Sequence, residues 1–406
     1  MSNDSTASTN AVTVVHVAPT PFFSDRGCHV RVKGVIAALN RKSLRNILCT
    51  YHLGRDITGI ETLRTARIPG YHKLEAGPSA FKYFADILLF FKVCAVIRKR
   101  RPQIIHGHLH EGALIGWAAR TCFFWRKIPL VFDMQGSLVG ELTQHGYFGG
   151  SGLLRRVFWS IEYLITRLPD YFTCSSQHSA RILAQEFNVA ADRIVTVHDG
   201  IDVAPVDSEI KSEFSRRLAL PPGRPVAIYT GALLEAKGLG ALKEIILEAR
   251  RRHVDCHYLI VGYPVEPMLE FVRTQGIEEF CTLTGRIPFE QLQNYLAVAT
   301  LAIEPKAGES GEASGKLLNY MGAALPVACF DTDNNREMLG EDGYFVAPGS
   351  VVKFVDRIEE ILESPPLAKH RGEAGRARAA ARFSWDVSAN DVYSVYQSCL
   401  RATTSG

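Results

Sequence analysis

The sequence predicts two doubly wound α/β domains in one chain, and three observations carry that prediction. Short β-branched runs alternate with longer amphipathic stretches. The runs are apolar almost throughout, as in parallel strands covered on both faces. The series stops at a proline-bearing gap and then starts again. At 406 residues the chain is long enough for two or three domains of about 150 residues. A composition of 47% apolar and 22% charged residues excludes a disordered or collagen-like chain.

In the first half Val12–Val17 reads as a strand and Ala18-Pro19-Thr20-Pro21 as its turn. Cys28–Asn40 then has helical spacing, with Val32, Val35, Ile36 and Leu39 on one face. Asn46–Thr50, Gln103–His106, Leu130–Phe132 and Tyr171–Cys174 continue as strands, and Asp192–His198 closes this half. Val203–Pro225 has no clear element over much of its length and holds Pro205, Pro221, Pro222 and Pro225, the composition of a linker. Val226–Thr230, Tyr258–Val261, Cys281–Thr284, Thr300–Ile303 and Val327–Phe330 make the second series, with a helix from Ala241 to Arg251. Arg376–Phe383 is basic and helical, and Ser384–Leu400 is a last helix. The expected divisions are a disordered tail at 1–11, domains at 12–205 and 206–383, and a final helical segment at 384–406. A ligand cleft between the two domains is expected.

Other classes drop out. No apolar run reaches the roughly 18 to 20 residues that cross a bilayer; Lys92 breaks Ile87–Ile97 and Arg120 breaks Gly112–Trp125. The first residues lack the order of a signal peptide. Nine scattered cysteines without a CxxC pair indicate neither a disulfide framework nor a zinc site, and a reducing cytoplasm is expected. Through Pro205 there are 24 Lys+Arg against 15 Asp+Glu, and beyond it 22 against 27. The first half therefore suits an anionic partner, although chance placement of surface charges gives the same asymmetry. No nucleic-acid recognition motif is present.

Several loops at strand ends could carry chemistry. Gly27 lies between the first strand and its helix, where N–H groups can meet an anion, but GxGxxG spacing is absent. His106, His108 and His110 alternate after a strand, which in extended backbone puts them on one side, at least one facing the cleft. A zinc reading lacks HExxH spacing and a completing Cys or carboxylate pair. Gln135 suits orienting a hydroxyl and cannot serve as a general base; a plain turn after a strand accounts for it equally. Gly231–Gly238 is a glycine-bearing turn with Lys237, able to meet a pyrophosphate but not a P-loop. Glu304–Pro326 is the most informative segment: Ser314 as helix cap, Gly315 as backbone donor and Lys316 as cation converge at a helix start.

These motifs, in order, resemble the retaining GT-B glycosyltransferases of glycosyltransferase family 4. The resemblance runs from Val12 to about Leu400 through Gly27, IIHGH at Ile104–His108, Cys174–Ser176 and VHDGID at Val197–Asp202. It continues through TGALLEAKG at Thr230–Gly238, LTGRIP at Leu283–Pro288 and GKLLNYMGAALPV at Gly315–Val327. It implies two Rossmann-like domains, a nucleotide-sugar donor as substrate, no other cofactor, and generally no essential metal. It also implies a saccharide or lipid-linked acceptor, a role in cell-envelope or polysaccharide synthesis, and a last helix that crosses back to the first domain. By position, Gly27, Gly231, Lys237, Ser314, Gly315 and Lys316 would meet the donor phosphates. Arg286 and Ile287 would hold the base and Asn319 the ribose. His108 would serve catalysis, and His110 and Gln135 the acceptor. The family's paired glutamates fall at Gly311 and Asn319, so Glu309 or Glu312 would have to substitute; Ala232 replaces an arginine and Gln135 a histidine. These departures leave room for a binding or scaffold protein that has lost turnover. The motifs speak against a sugar-nucleotide epimerase or phosphorylase. The amphipathic stretch Phe81–Arg101, ending in Arg98-Lys99-Arg100-Arg101, adds an expected peripheral contact with an anionic membrane.

Overall fold

The computed structural model describes residues 11–25, 27–74, 80–144, 146–202, 208–307 and 314–404. Residues 1–10 of the expected tail, and with them Glu309 and Glu312, lie outside the described residues. The chain divides into two compact units, 1–200 with 385–406, and 201–384.

The first unit is built on a seven-stranded parallel sheet. Its strands are β1 (Val12–Ala18), β2 (Leu44–Thr50), β3 (Glu61–Arg64), β4 (Ile104–His108), β5 (Leu130–Met134), β6 (Tyr171–Cys174) and β7 (Ile194–Thr196), in the order β3-β2-β1-β4-β5-β6-β7. The second unit has six parallel strands: β8 (Val226–Thr230), β9 (His257–Val261), β10 (Cys281–Leu283), β11 (Leu301–Glu304), β12 (Val327–Phe330) and β13 (Tyr344–Val346). Their order is β10-β9-β8-β11-β12-β13. In both sheets the strand order reverses beside the first strand, the topological switch point at which open α/β sheets bind ligands.

Alternation along each strand sends side chains to two helical layers. Val15, Val17, Ile105 and Leu130 pack under the helices Ala80–Arg100 and Leu109–Thr121. Val14, Ile104 and Val131 face the other way, against Val35 and Leu39 of the helix Gly27–Leu39 and against Trp385, Val392, Val395 and Tyr396 of the last helix, Trp385–Thr404. Strands β1, β4, β5, β8, β9, β11 and β12 are almost wholly buried, which is why they read as continuous apolar runs.

The linker reading at 203–225 is corrected. Ser208–Arg217 is a helix, held by Phe214, which packs edge-on to Tyr295 at 5.4 Å between ring centroids.

Candidate functional site

Side chains of interest gather at the carboxyl edge of each sheet. In the second unit the organising residue is Glu304, the last residue of β11 and only 1% exposed. Its Oε2 accepts a hydrogen bond from Ser314 Oγ at 2.8 Å. Its Oε1 accepts from Lys316 Nζ at 2.9 Å and from the Lys306 N–H at 3.2 Å. One buried carboxylate thus draws the strand exit and the start of the helix Gly315–Gly322 together. Lys316 also lies over the Tyr229 ring, 4.6 Å from its centroid. An ammonium has three N–H donors, and the Glu304 bond engages one of them.

The stem of Lys316 crosses Gly231. A Cβ there would come 3.1 Å from Lys316 Cδ, and the φ of +127° is one that side chains rarely adopt, so this position calls for glycine. Gly238 is similarly constrained: at φ +89° its Cβ would lie 2.6 Å from the Pro305 carbonyl oxygen. The turn that carries Lys237 is therefore packed against the exit of β11. Arg286, beyond β10, is exposed; its guanidinium lies 4.2 Å from the Tyr263 ring centroid and donates to Tyr263 Oη at 2.9 Å. Ile287 packs on the core beside it. The expected donor residues Gly231, Lys237, Arg286, Ile287, Ser314, Gly315 and Lys316 thus share one sheet edge. Asn319 follows one helical turn on, with Nδ2 donating to the Gly315 carbonyl at 2.8 Å.

Ser314 requires a correction. It occupies the N-cap position, but its side chain makes no cap hydrogen bond. The Glu304 carboxylate takes its hydroxyl, because a hydrogen bond to an ionised acceptor is roughly twice as strong as a neutral one.

In the first unit two expectations are corrected. His108 is 1% exposed, with Nδ1 3.0 Å from Asp133 Oδ2 and Nε2 3.0 Å from His16 Nδ1. Its ring is committed to the interior. Nor do the three alternating histidines share a side. The strand stops at His108, Leu109 turns the chain at φ +63° into a helix, and His110 is carried to Glu162, with Nε2 3.2 Å from Oε1. Glu162, fully buried, also accepts from Ser137 Oγ and from the N–H groups of Leu138 and Val139. Burial works to raise the Glu162 carboxyl; the His110 contact and these N–H groups overcome it and hold it below its ordinary value. Gln135 is half-buried, and its Nε2 donates to Asp133 Oδ2 at 3.0 Å. Gly27 opens its helix at an exposed position with nothing within 4 Å of a Cβ.

Asp133 is the hub that sequence reasoning missed. It accepts from Arg31 (Nη2 at 2.7 Å), Thr173 Oγ1 (2.9 Å), His108 and Gln135. Arg31 in turn donates through Nη1 to Asp199 and to the Val197 carbonyl, both at 2.8 Å. Burial alone would raise the Asp133 carboxyl, but the Arg31 charge and the His108 contact hold it well below the usual range. A charge inside an apolar strand, as in LVFDM, and one on an apolar helix face, as in HVRVKGV, were the available signals, since such charges stay buried only when paired.

His16, His106 and His108 lie close enough to suggest a metal triad. Among them His16 and His108 meet edge to edge, Nδ1 to Nε2 at 3.0 Å with ring centroids 5.3 Å apart, while His106 stacks on His108 at 4.6 Å and 19°. The nitrogens that face each other across the His16–His108 contact bond one another and are not left for an ion. Their nitrogens serve Asn46, Tyr396 and Asp133.

With this geometry in hand, comparison with known proteins defines the class. A family model described as Glycosyltransferase Family 4 matches residues 26–205, and one described as Glycosyl transferases group 1 matches residues 224–364. The protein is a glycosyltransferase. Both halves match in order along most of the chain, which belongs to glycosyltransferase family 4 and has the GT-B fold.

D-inositol 3-phosphate glycosyltransferase of Corynebacterium diphtheriae is 24% identical over 79% of this chain and 75% of its own length. Alpha-D-kanosaminyltransferase of Streptomyces kanamyceticus is 25% identical, with the match spanning 46% of this chain and about half, 49%, of that enzyme. Among solved structures, sucrose-phosphate synthase of Thermosynechococcus elongatus superimposes with a TM-score of 0.80 at 18% identity, covering 96% of this chain and all of that one. HepE of Anabaena, solved with UDP-glucose, gives 0.73 at 14% identity, covering 97% and 100%.

Proposed function

We propose that the protein transfers a sugar, with retention of anomeric configuration, from a nucleotide-sugar donor to a saccharide or lipid-linked acceptor during envelope or polysaccharide synthesis. It would work in a reducing, cytoplasmic compartment, in peripheral contact with a membrane. The observation that carries this reading is the Glu304 arrangement, in which a buried carboxylate holds Lys316 and Ser314 at a helix start. Transfer from a nucleotide sugar leaves a diphosphate, and the barrier falls where preorganised donors meet the developing charge. Lys316 supplies a fixed cation, and the opening N–H groups of Gly315–Gly322 supply the positive end of a helix dipole. Glu304 spares the lysine the reorganisation it would otherwise undergo as charge develops. Gly231 leaves room for its stem. On this reading Arg286 and Ile287 border the base, and Asn319 meets the ribose. Gln135, oriented by Asp133, offers its side-chain Oε1 to an acceptor hydroxyl. HepE, solved with UDP-glucose on the same fold, supports a nucleotide-sugar donor.

The test is calorimetric titration with UDP-, GDP- and ADP-sugars, followed by a transfer assay and proton NMR of the product anomer. One donor should bind wild type, and Lys316→Ala should slow its turnover by about 100-fold. An inverted product would overturn retention. Tight donor binding without hydrolysis or transfer on any acceptor would return the chain to a sugar-nucleotide binding role.

A further inference from the structure

Two helices of the first unit carry apolar faces that the fold leaves uncovered. On Ala80–Arg100, Phe84, Ile87 and Phe91 follow one another at helical spacing and are 63%, 54% and 61% exposed, while Ala85, Leu89, Val93 and Ile97 on the opposite side are fully buried. On Gly152–Ile165, Leu153, Val157, Ile161 and Leu164 form a second exposed stripe, opposite the buried Glu162 and Ile165. Leu109–Thr121 packs against both helices and itself exposes Leu114. Leu130 packs with the first helix and Phe132 with the second. These two residues are two apart on β5, so they point to the same side of the sheet, and the stripes share one layer. Monomeric proteins rarely leave contiguous apolar surface of this kind without a partner.

The charges identify the partner. Asp86 is the one acid in the first helix, and it bonds Tyr51; Glu162 is the one acid in the second, and it is buried. The outward faces therefore carry no carboxylate. Arg98 continues the Phe84–Ile87–Phe91 stripe, Lys99 and Arg101 stand exposed beside it, and Arg156 flanks the other stripe. Phe124 and Trp125 are exposed just before Arg126 and Lys127. Glu111 of the neighbouring helix is half-exposed but paired with Lys82. Aromatic and aliphatic stripes whose own helices add only cations to the outward face match the interface of an anionic bilayer, where apolar groups enter the acyl boundary and cations meet headgroups. Among the described residues no helix is long and apolar enough to cross a membrane.

We propose that this layer is the docking surface for an anionic lipid bilayer, gripped by the apolar stripes of both helices and not by the Arg98–Arg101 run alone. The proposal deepens the membrane contact of the functional reading and rests on it for purpose. Its test needs neither donor nor acceptor, so loss of transfer and loss of docking are told apart.

The full chain is floated with phosphatidylcholine vesicles and with vesicles containing phosphatidylglycerol. Wild type should float with the anionic vesicles only, and brominated phosphatidylglycerol should quench its tryptophan fluorescence. The exposed triple variant Phe84→Ser/Ile87→Ser/Phe91→Ser should keep its unfolding temperature, yet float about tenfold less; Leu153→Ser/Leu164→Ser should do the same. Three outcomes overturn the proposal: wild type failing to bind anionic vesicles at low salt, both apolar variants binding as wild type does, or the wild type dimerising through this face with the triple variant monomeric.

Discussion

Asn40 donates to the Gly59 carbonyl at 2.8 Å and accepts from Asn46 at 2.8 Å; Asn46 Oδ1 faces His16 Nε2 at 3.1 Å. His16 then meets His108, and His108 meets Asp133. Both ends of this chain, a carbonyl and a carboxylate, can only accept, so His16 Nε2 and His108 Nδ1 both donate outward. Burial first and His108 second push His16 down to about 3. His106 is likewise held well below its ordinary value by burial and by His108. The unfolded chain takes up protons at His16 and His106 below about pH 6.5 while the folded one does not, so these two groups make stability fall as pH drops. Below about pH 4 the unfolded state gains a further proton at Asp133, and the loss steepens. Calorimetric unfolding temperatures between pH 8 and 5 should decline for wild type and decline less for His106→Gln; parallel curves would refute the account. None of this pairing was legible in the sequence. Histidines in VVHV and IIHGH could be placed near a strand end, but whether they faced a ligand or one another depended on residues far apart in the chain.

At the scale of elements, what could be read was what burial made periodic. The buried strands announced themselves, whereas β3 and β13, short and flanked by turns, did not. Ser208–Arg217 escaped because its buried face rests on so few apolar residues, Phe214 above all. The helix start at Gly315 was legible because Gly, Ser and Lys cluster there. Glu304, which stands at the family's glutamate spacing from Glu312, was set aside because it ends a strand and the helix register does not match; its role in holding Ser314 and Lys316 shows only in the folded chain. Glycines show a similar division. In IIHGH, a Cβ on Gly107 would lie 2.6 Å from the backbone of Gly112 and Ala113, and one on Gly112 would lie 2.6 Å from the Val17 carbonyl oxygen. These glycines seat the helix Leu109–Thr121 on β4 and β1 and need no ligand to explain them. Gly107→Ala should therefore destabilise by about 1–3 kcal/mol in urea unfolding. Gly27→Ala, in open space, should be neutral or slightly stabilising. Equal costs at the two positions would contradict this division.

At the scale of the whole molecule, chain order and spatial order part company at Ser384. The helix Trp385–Thr404 follows the second unit in sequence but belongs to the first. The Trp385 ring occupies the space that a Cβ on Gly34 would enter, 2.3 Å away, and its backbone lies equally close to Gly200. Tyr396 Oη lies 2.7 Å from His106 Nδ1, and Ser388 Oγ donates to the His198 carbonyl at 2.8 Å. Trp385, Ala389, Val392, Val395, Tyr396 and Cys399 complete the core on one side of the seven-stranded sheet. Large buried side chains contribute roughly 1.5–3 kcal/mol each, and a domain's net stability is only about 5–15 kcal/mol. Removing this helix should therefore take the first unit below its threshold, whereas the second unit, with core clusters of its own, should stay folded. Hydrogen exchange on a chain ending at Ser384 tests this directly. Protection should vanish from β1, β4 and β5 and persist in β8, β9 and β11. Retained protection in β1 and β4 would show that the helix only covers a core that stands without it.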